Sequence, residues 1–106
     1  MTVYPAQVHG QTLLVLLVRT NAKFREEFAW FVGTAKYDQG KMWVDRHSSM
    51  PLVELPQDLL THLNVSDESM KKAFAPSDYL ITIRIDTQTE PELTKHFDLP
   101  GLTWED

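Results

Sequence analysis

The chain contains no cysteine and only four glycines among its 106 residues. Without cysteine, disulfide scaffolds, zinc ribbons and thiol catalysis are all excluded. The glycines are isolated from one another, which excludes a glycine-rich phosphate-binding loop and the nucleotide chemistry that depends on one. No two histidines have the spacing of a helical metal pair, so we expect neither a metal nor another cofactor. The four are His9, His47, His62 and His96.

Positive charge and long apolar runs are also scarce. The net charge is −5, the isoelectric point is near 5.2, and the longest basic run is Lys71-Lys72. Such a surface repels phosphate groups, so we expect neither nucleic acid nor an anionic membrane as a partner. The longest apolar run, residues 13–18, is far shorter than the ~20 residues of a membrane-spanning helix. Because it also lacks the basic flank and cleavage site of a signal peptide, we expect a cytoplasmic location.

The remaining composition is that of a folded domain. Apolar residues make up 42% of the chain and charged residues 24%, which is ordinary for a globular protein. A chain of this length builds one hydrophobic core without a disulfide or a structural metal. We therefore expect a single globular domain over residues 1–106, with about 98–106 as a tail.

Six of the eleven aromatic residues fall within residues 24–43, on both sides of Gly40. Large rings at this density indicate the centre of the hydrophobic core, because each one removes a large apolar area from water. The runs 30–37 and 41–45 are rich in aromatic and β-branched residues, which predicts a β-hairpin with Gly40 in its turn.

The register of this hairpin decides which tryptophan is buried. A two-residue loop pairs Tyr37 with Met42 and places Phe31 further along the same apolar face. A slip by one residue would move Trp43 onto that face. We prefer the two-residue loop, because it separates apolar from polar side chains more cleanly. The other face then carries Trp30, Thr34, Lys36 and Trp43.

Residues 24–31 fit two secondary structures. Phe24, Phe28 and Phe31 have the spacing of one helix face, whereas continuity with the hairpin favours a strand. We predict a strand from about Phe28 and leave the preceding residues undecided.

The rest of the chain alternates short strands and short helices. Strands are predicted at residues 13–20, 52–55 and 79–86. Three helices are predicted. The first begins at Pro56, the second follows Ser66 as its N-cap, and the third begins at a capping box formed by Thr89 and Glu92. Most connections are too short for a parallel crossover. The expected fold class is therefore α+β: a small, mainly antiparallel, partly closed sheet or barrel with about three short helices.

Asp45 and His47 lie in the one segment that has the composition of acid–base machinery. A histidine beside a carboxylate can act as a general base, and Ser48 and Ser49 are potential nucleophiles. The polar end of a hairpin accounts for the same residues, so we favour a protein that is not an enzyme.

Trp30, Lys36 and Trp43 would form an aromatic and cationic patch on the outer hairpin face. Such a patch could contact a protein, pack on a second subunit or stack bases. A covering helix would instead make both rings part of the core. Trp104 would dock either on this domain or on a neighbouring molecule.

The sequence therefore favours a small binding domain that contacts another protein or a second copy of itself. Two alternatives stay open. One is a small enzyme or ligand-binding protein with a pocket near Asp45 and His47. The other is a single-stranded nucleic-acid binder that uses Trp30 and Trp43.

Overall fold

A computed structural model describes residues 2–106 and contains a six-stranded sheet. The strands are β1 (Thr12–Thr20), β2 (Glu26–Asp38), β3 (Lys41–Asp45), β4 (Val53–Leu55), β5 (Leu63–Val65) and β6 (Tyr79–Ile85). Their order across the sheet is β4-β3-β2-β1-β6-β5. The helices are α1 (Pro5–Val8), a 3₁₀ helix (Gln57–His62), α2 (Glu68–Ala73) and α3 (Pro91–His96). The predicted α+β class is confirmed.

The sheet differs from the prediction in two respects. The pair β1–β6 is parallel, with Val15 opposite Ile81, so the sheet is mixed although its other four pairs are antiparallel. The strands β4 and β5 stay at opposite edges, so the sheet is not closed into a barrel. The prediction considered connections between consecutive strands, whereas residues 21–78 separate β1 from β6 and leave ample chain for a parallel crossover.

The hairpin between β2 and β3 has the predicted register. Tyr37 pairs with Met42, and Lys36 pairs with Trp43. The two loop residues have φ angles of 51° and 80°. These left-handed values are typical of the tight turns that match the twist of the flanking strands.

Residues before the hairpin continue the same strand. The strand β2 begins at Glu26, two residues earlier than predicted, and pairs with β1 along the whole length of β1. The helix interpretation of residues 24–31 is therefore wrong, because cross-strand pairing with an apolar neighbour overrides the local i, i+4 spacing.

One face of the sheet carries the hydrophobic core, and we call it the core face. The end of α3 contributes Phe97 to this core, the 3₁₀ helix contributes Leu60, and α1 contributes Val8. All three side chains are buried. The large strand residues of the core face that are fully buried are Leu13, Val15, Leu17, Met42, Val44, Leu55, Ile81 and Ile83.

The opposite face, which we call the outer face, is only partly covered. The helix α2 and the segment after it pack here, and Phe74 contacts Trp30. Leu14 is fully buried, but Phe28 and Trp30 stay half-exposed. The large apolar strand residues of the outer face are Leu14, Leu16, Val18, Phe28, Trp30, Val32, Trp43 and Leu80.

Two helices begin at residues other than those predicted. The carboxylate of Asp67 caps α2, whereas Ser66 is buried and shares a hydrogen bond of 2.7 Å with Ser77. The helix α3 begins after Glu90, and the predicted capping box at Thr89 does not form. Several hydroxyl and carboxylate side chains compete for each helix start, so the local sequence alone does not choose among them.

The tail, residues 98–106, folds back onto the sheet. Its leucines and Trp104 pack against the hydrophobic core. The backbone of Glu105 exchanges two hydrogen bonds with that of Phe28, at 2.7 and 2.8 Å. The tail thereby lies beside β2 as a single antiparallel bridge.

Gly33 in β2 lies where the chain leaves the end of β3. A Cβ atom at this position would collide with the carbonyl oxygen of Asp45. The glycine is therefore required by a close backbone approach. This approach fixes the position of Asp45 and of the chain that leads to His47.

Candidate functional site

A groove of about 370 Å³ opens on the outer face between α2 and the tail. Phe28 and Trp30 line it and are 40% and 41% exposed. Phe74 stands edge-on to Trp30, with ring centroids 5.7 Å apart. Among the described residues that line the groove, Glu105 is the one that carries a charge. We call this feature the aromatic groove.

The aromatic groove exists because β2 is much longer than β3. The strand β3 pairs only with residues 34–38, so the first half of β2 has β1 on one side and the tail on the other. The tail makes one bridge, at Phe28, and does not cover the outer face. The aromatic side chains of this half-strand are therefore left partly open to solvent.

The structure places Trp30, Lys36 and Trp43 on the outer face, as the hairpin register predicts. Trp43 lies opposite Lys36, six residues along β2 from Trp30, which is ~20 Å at the usual strand rise. The ammonium group of Lys36 lies 3.3 Å from the carboxylate of Asp45. The three residues thus share a face but occupy its two ends.

Trp104 lies apart from both of these positions. Its ring is partly buried against the core, and the guanidinium of Arg19 stacks 3.8 Å from the ring centroid. Arg19 also pairs with Glu27 at 3.3 Å. A cation over an aromatic face is a stabilising contact, so the ring has a packing role within this chain.

Asp45 and His47 meet Thr34 at the end of β3. The backbone N–H of His47 donates to Asp45 Oδ1 at 2.9 Å, and its imidazole Nδ1 lies 3.7 Å from the same oxygen. The imidazole Nε2 and Thr34 Oγ1 are 3.1 Å apart. The backbone hydrogen bond from His47 lowers the pKa of Asp45 below its ordinary 3.8, and Lys36 acts in the same direction. The carboxylate is therefore ionised beside an exposed imidazole.

The hydroxyl that meets the imidazole belongs to Thr34, whereas the sequence suggested Ser48 or Ser49. Residues 47–49 have φ angles of 63°, 54° and 64°. Three consecutive left-handed residues without glycine are unfavourable, and such strain is concentrated at functional positions. A cavity of about 420 Å³ adjoins His47. The imidazole thus lies within hydrogen-bond distance of the Thr34 hydroxyl, whereas its 3.7 Å separation from the Asp45 carboxylate is too long for a hydrogen bond.

A cavity of about 480 Å³ lies between the hairpin tip, the N-terminal segment and the 3₁₀ helix. Tyr37, Gln57 and Leu60 contribute to its wall. The described residues that line it include no carboxylate, imidazole or amine.

Among residues 2–106, no group of three or more histidine, aspartate or glutamate side chains is arranged to hold a metal ion. None of the helices in this part of the chain has the length and apolarity needed to cross a membrane. Comparison with known proteins finds no matching family model, and neither a curated protein nor a solved structure matches the chain significantly.

Sequence reasoning identified Trp30 but missed the residues that surround it. Phe74 fits an ordinary core position near the end of α2, and Glu105 has no distinguishing feature in the sequence. The tail and α2 approach β2 only through tertiary contacts between distant residues. The sequence does contain one signal for Phe28. It lies two residues before Trp30, and residues two apart in a strand lie on the same face of the sheet.

Proposed function

We propose that this protein is a protein-binding domain whose aromatic groove receives an apolar side chain and a neighbouring basic residue of its partner. The main observation behind this proposal is that Phe28 and Trp30, which line one groove, are 40% and 41% exposed. Aromatic side chains that lie in concave, partly desolvated pockets are the usual anchors of protein–protein interfaces.

The charge of the groove supports a basic partner. Glu105 stands at its wall, and the whole chain carries a net charge of −5. An acidic rim orients a basic segment and accelerates its association. The same charge disfavours single-stranded nucleic acid as the ligand of Trp30 and Trp43.

Selection of peptides from a phage-displayed library tests the proposal. We expect the enriched peptides to carry an aromatic or branched aliphatic residue beside lysine or arginine. They should bind the wild type at least ~10-fold more tightly than Trp30→Ala, because that variant removes the main anchor. Trp43→Ala is the matched control. It removes a tryptophan from the far end of the same face and should change affinity by less than about twofold.

Two outcomes would contradict the proposal. The first is a set of peptides that bind Trp30→Ala as tightly as the wild type. The second is a set whose preference for basic residues is unchanged in Glu105→Lys, since that variant should favour acidic peptides instead.

A second candidate function, acid–base chemistry at Asp45 and His47, is favoured by the contact between His47 and Thr34. An imidazole that meets a hydroxyl on one side and a carboxylate on the other has the order of groups used in general-base catalysis. Hydrolysis of p-nitrophenyl acetate tests it. Loss of activity in both His47→Ala and Asp45→Ala would support this function, and rates equal to that of the wild type would exclude it for this substrate.

A further inference from the structure

We propose that the aromatic groove binds the Phe24 turn of a second copy of this chain, so that two copies form a reciprocal dimer. The Phe24 turn is the segment 21–25 that joins β1 to β2. This inference rests on the proposed function and names the partner of the same groove. Phe24 is 75% exposed, which is the highest exposure among the large apolar side chains that the structure describes.

The Phe24 turn has the chemistry that the groove requires. Its ring is flanked in the sequence by Lys23 and Arg25, and both are exposed. The groove offers the rings of Phe28 and Trp30 together with the carboxylate of Glu105. In this contact, the Phe24 ring packs on the rings of the groove, and its two neighbouring cations face the single carboxylate. Both ring stacking and charge attraction therefore favour the contact.

The backbone of the Phe24 turn is strained and firmly held. Phe24 has a φ angle of 60°, a left-handed conformation that is unfavourable for a bulky residue. The side-chain oxygen of Asn21 accepts hydrogen bonds from the backbone N–H groups of Lys23 (2.8 Å) and Arg25 (3.1 Å). The N–H of Phe24 donates to the carbonyl oxygen of Asn21 at 3.0 Å. The turn thus presents an exposed ring from a firmly held backbone, and burial in a partner explains why that strain is kept.

The position of the turn allows a symmetric exchange. Phe24 precedes Phe28 by four residues, or ~13 Å of extended chain, so the turn and the groove lie at the same end of β2. A two-fold axis near this end would let each copy insert Phe24 into the groove of the other. The contact is small, so we expect a dissociation constant on the order of micromolar.

Sedimentation velocity over a concentration series tests the dimer with Phe24→Asn. Asparagine tolerates positive φ, so this variant removes the ring while keeping the turn. We expect its dimer dissociation constant to be at least ~10-fold higher than that of the wild type, without a lower melting temperature at protein concentrations where both are monomers. Leu52→Ser is the matched control. It removes another exposed apolar side chain, 52% exposed and in the β3–β4 connection, and should leave the dimer unchanged.

A charge exchange tests the orientation of the contact. Glu105→Lys should weaken the dimer, and adding Lys23→Glu and Arg25→Glu in the same chain should restore it, because the attraction is re-formed with opposite signs. A dimer that the triple substitution weakens further would overturn the assigned contact.

The outcomes for the dimer and for the proposed function are separable. If the wild type is a monomer at all concentrations while library peptides still bind at Trp30, the inference is wrong and the proposed function stands. If a dimer forms but neither Phe24→Asn nor Trp30→Ala weakens it, the inference is likewise overturned. If no peptide binds at Trp30 and Trp30→Ala leaves self-association unchanged, both the inference and the proposed function are wrong.

Discussion

The two faces of this sheet differ most sharply at two adjacent residues of β2. Phe31 points to the core face and is 6% exposed, whereas Trp30 points to the outer face and is 41% exposed. The core face is closed by α1, the 3₁₀ helix, the end of α3 and the tail. The outer face has one six-residue helix, α2, and leaves the aromatic groove open. Of the six aromatic residues within 24–43, only Phe31 is buried, so the expectation that this segment is the centre of the core is wrong, and most of its rings are at least partly open to solvent.

The largest expected effect is a difference in stability between a substitution on the core face and one on the outer face. Phe31→Ala should lower the free energy of unfolding by about 3–5 kcal/mol, because it leaves a cavity in a closed core. Trp30→Ala should lower it less, by about 1–3 kcal/mol, because it removes the covered part of the ring and the edge-to-face contact with Phe74. Urea denaturation monitored by circular dichroism measures both. Equal losses for the two variants would contradict the distinction between the faces.

The next effect concerns the backbone that supports Asp45. Gly33→Ala should destabilise the fold by about 1–3 kcal/mol, because the added Cβ would collide with the carbonyl oxygen of Asp45. Gly10→Ala is the comparison: the space there is open, but φ is 79°, so about 1 kcal/mol is expected. Thermal unfolding of both variants measures the difference. A smaller loss for Gly33→Ala than for Gly10→Ala would refute the close-approach argument.

A smaller effect of opposite sign is expected at the Phe24 turn. Phe24→Asn should raise the free energy of unfolding of the monomer by up to about 1 kcal/mol, because asparagine accepts the left-handed conformation more readily. Urea denaturation at low protein concentration measures it without a contribution from association. A clear loss of stability would show that the ring packs within its own chain.

The smallest effect is a dependence on pH. The pKa values of Asp45, Asp67 and Asp86 are all lowered from 3.8, in each case first by a backbone N–H two or three residues later. The folded-state pKa is therefore below the unfolded one. The stabilisation is complete above about pH 5, begins to fall near the unfolded pKa and is lost as the pH falls through the lowered values. Melting temperatures of the wild type and Asp67→Asn between about pH 5 and 2 measure it, and identical curves would contradict it.

Local features of this fold could be predicted from the sequence. The hairpin register follows from Gly40 and the alternation around it, and β1 and β6 follow from their apolar patterns. The parallel pairing of β1 with β6 could not be predicted, because it joins strands separated by residues 21–78. The start of β2 was ambiguous for a related reason, since its pairing with β1 determines the conformation of residues 26–28.

The candidate site was predictable only in part. The hairpin register was sufficient to place Trp30 on the outer face. It could not show that the tail returns to Phe28 or that Phe74 packs on Trp30, because both contacts join distant segments. Asp45 and His47 are two residues apart in the sequence, but Thr34 becomes their neighbour only through the pairing of β2 with β3.

The central claim is that Trp30 is exposed for binding and is dispensable for folding. Isothermal titration of a library-selected peptide into the wild type and into Trp30→Ala, with the unfolding free energy measured on the same preparations, tests it most directly. We predict that Trp30→Ala stays folded, loses about 1–3 kcal/mol of stability and binds the peptide at least ~10-fold more weakly. A variant that unfolds, or that is folded and binds as tightly as the wild type, would contradict the claim.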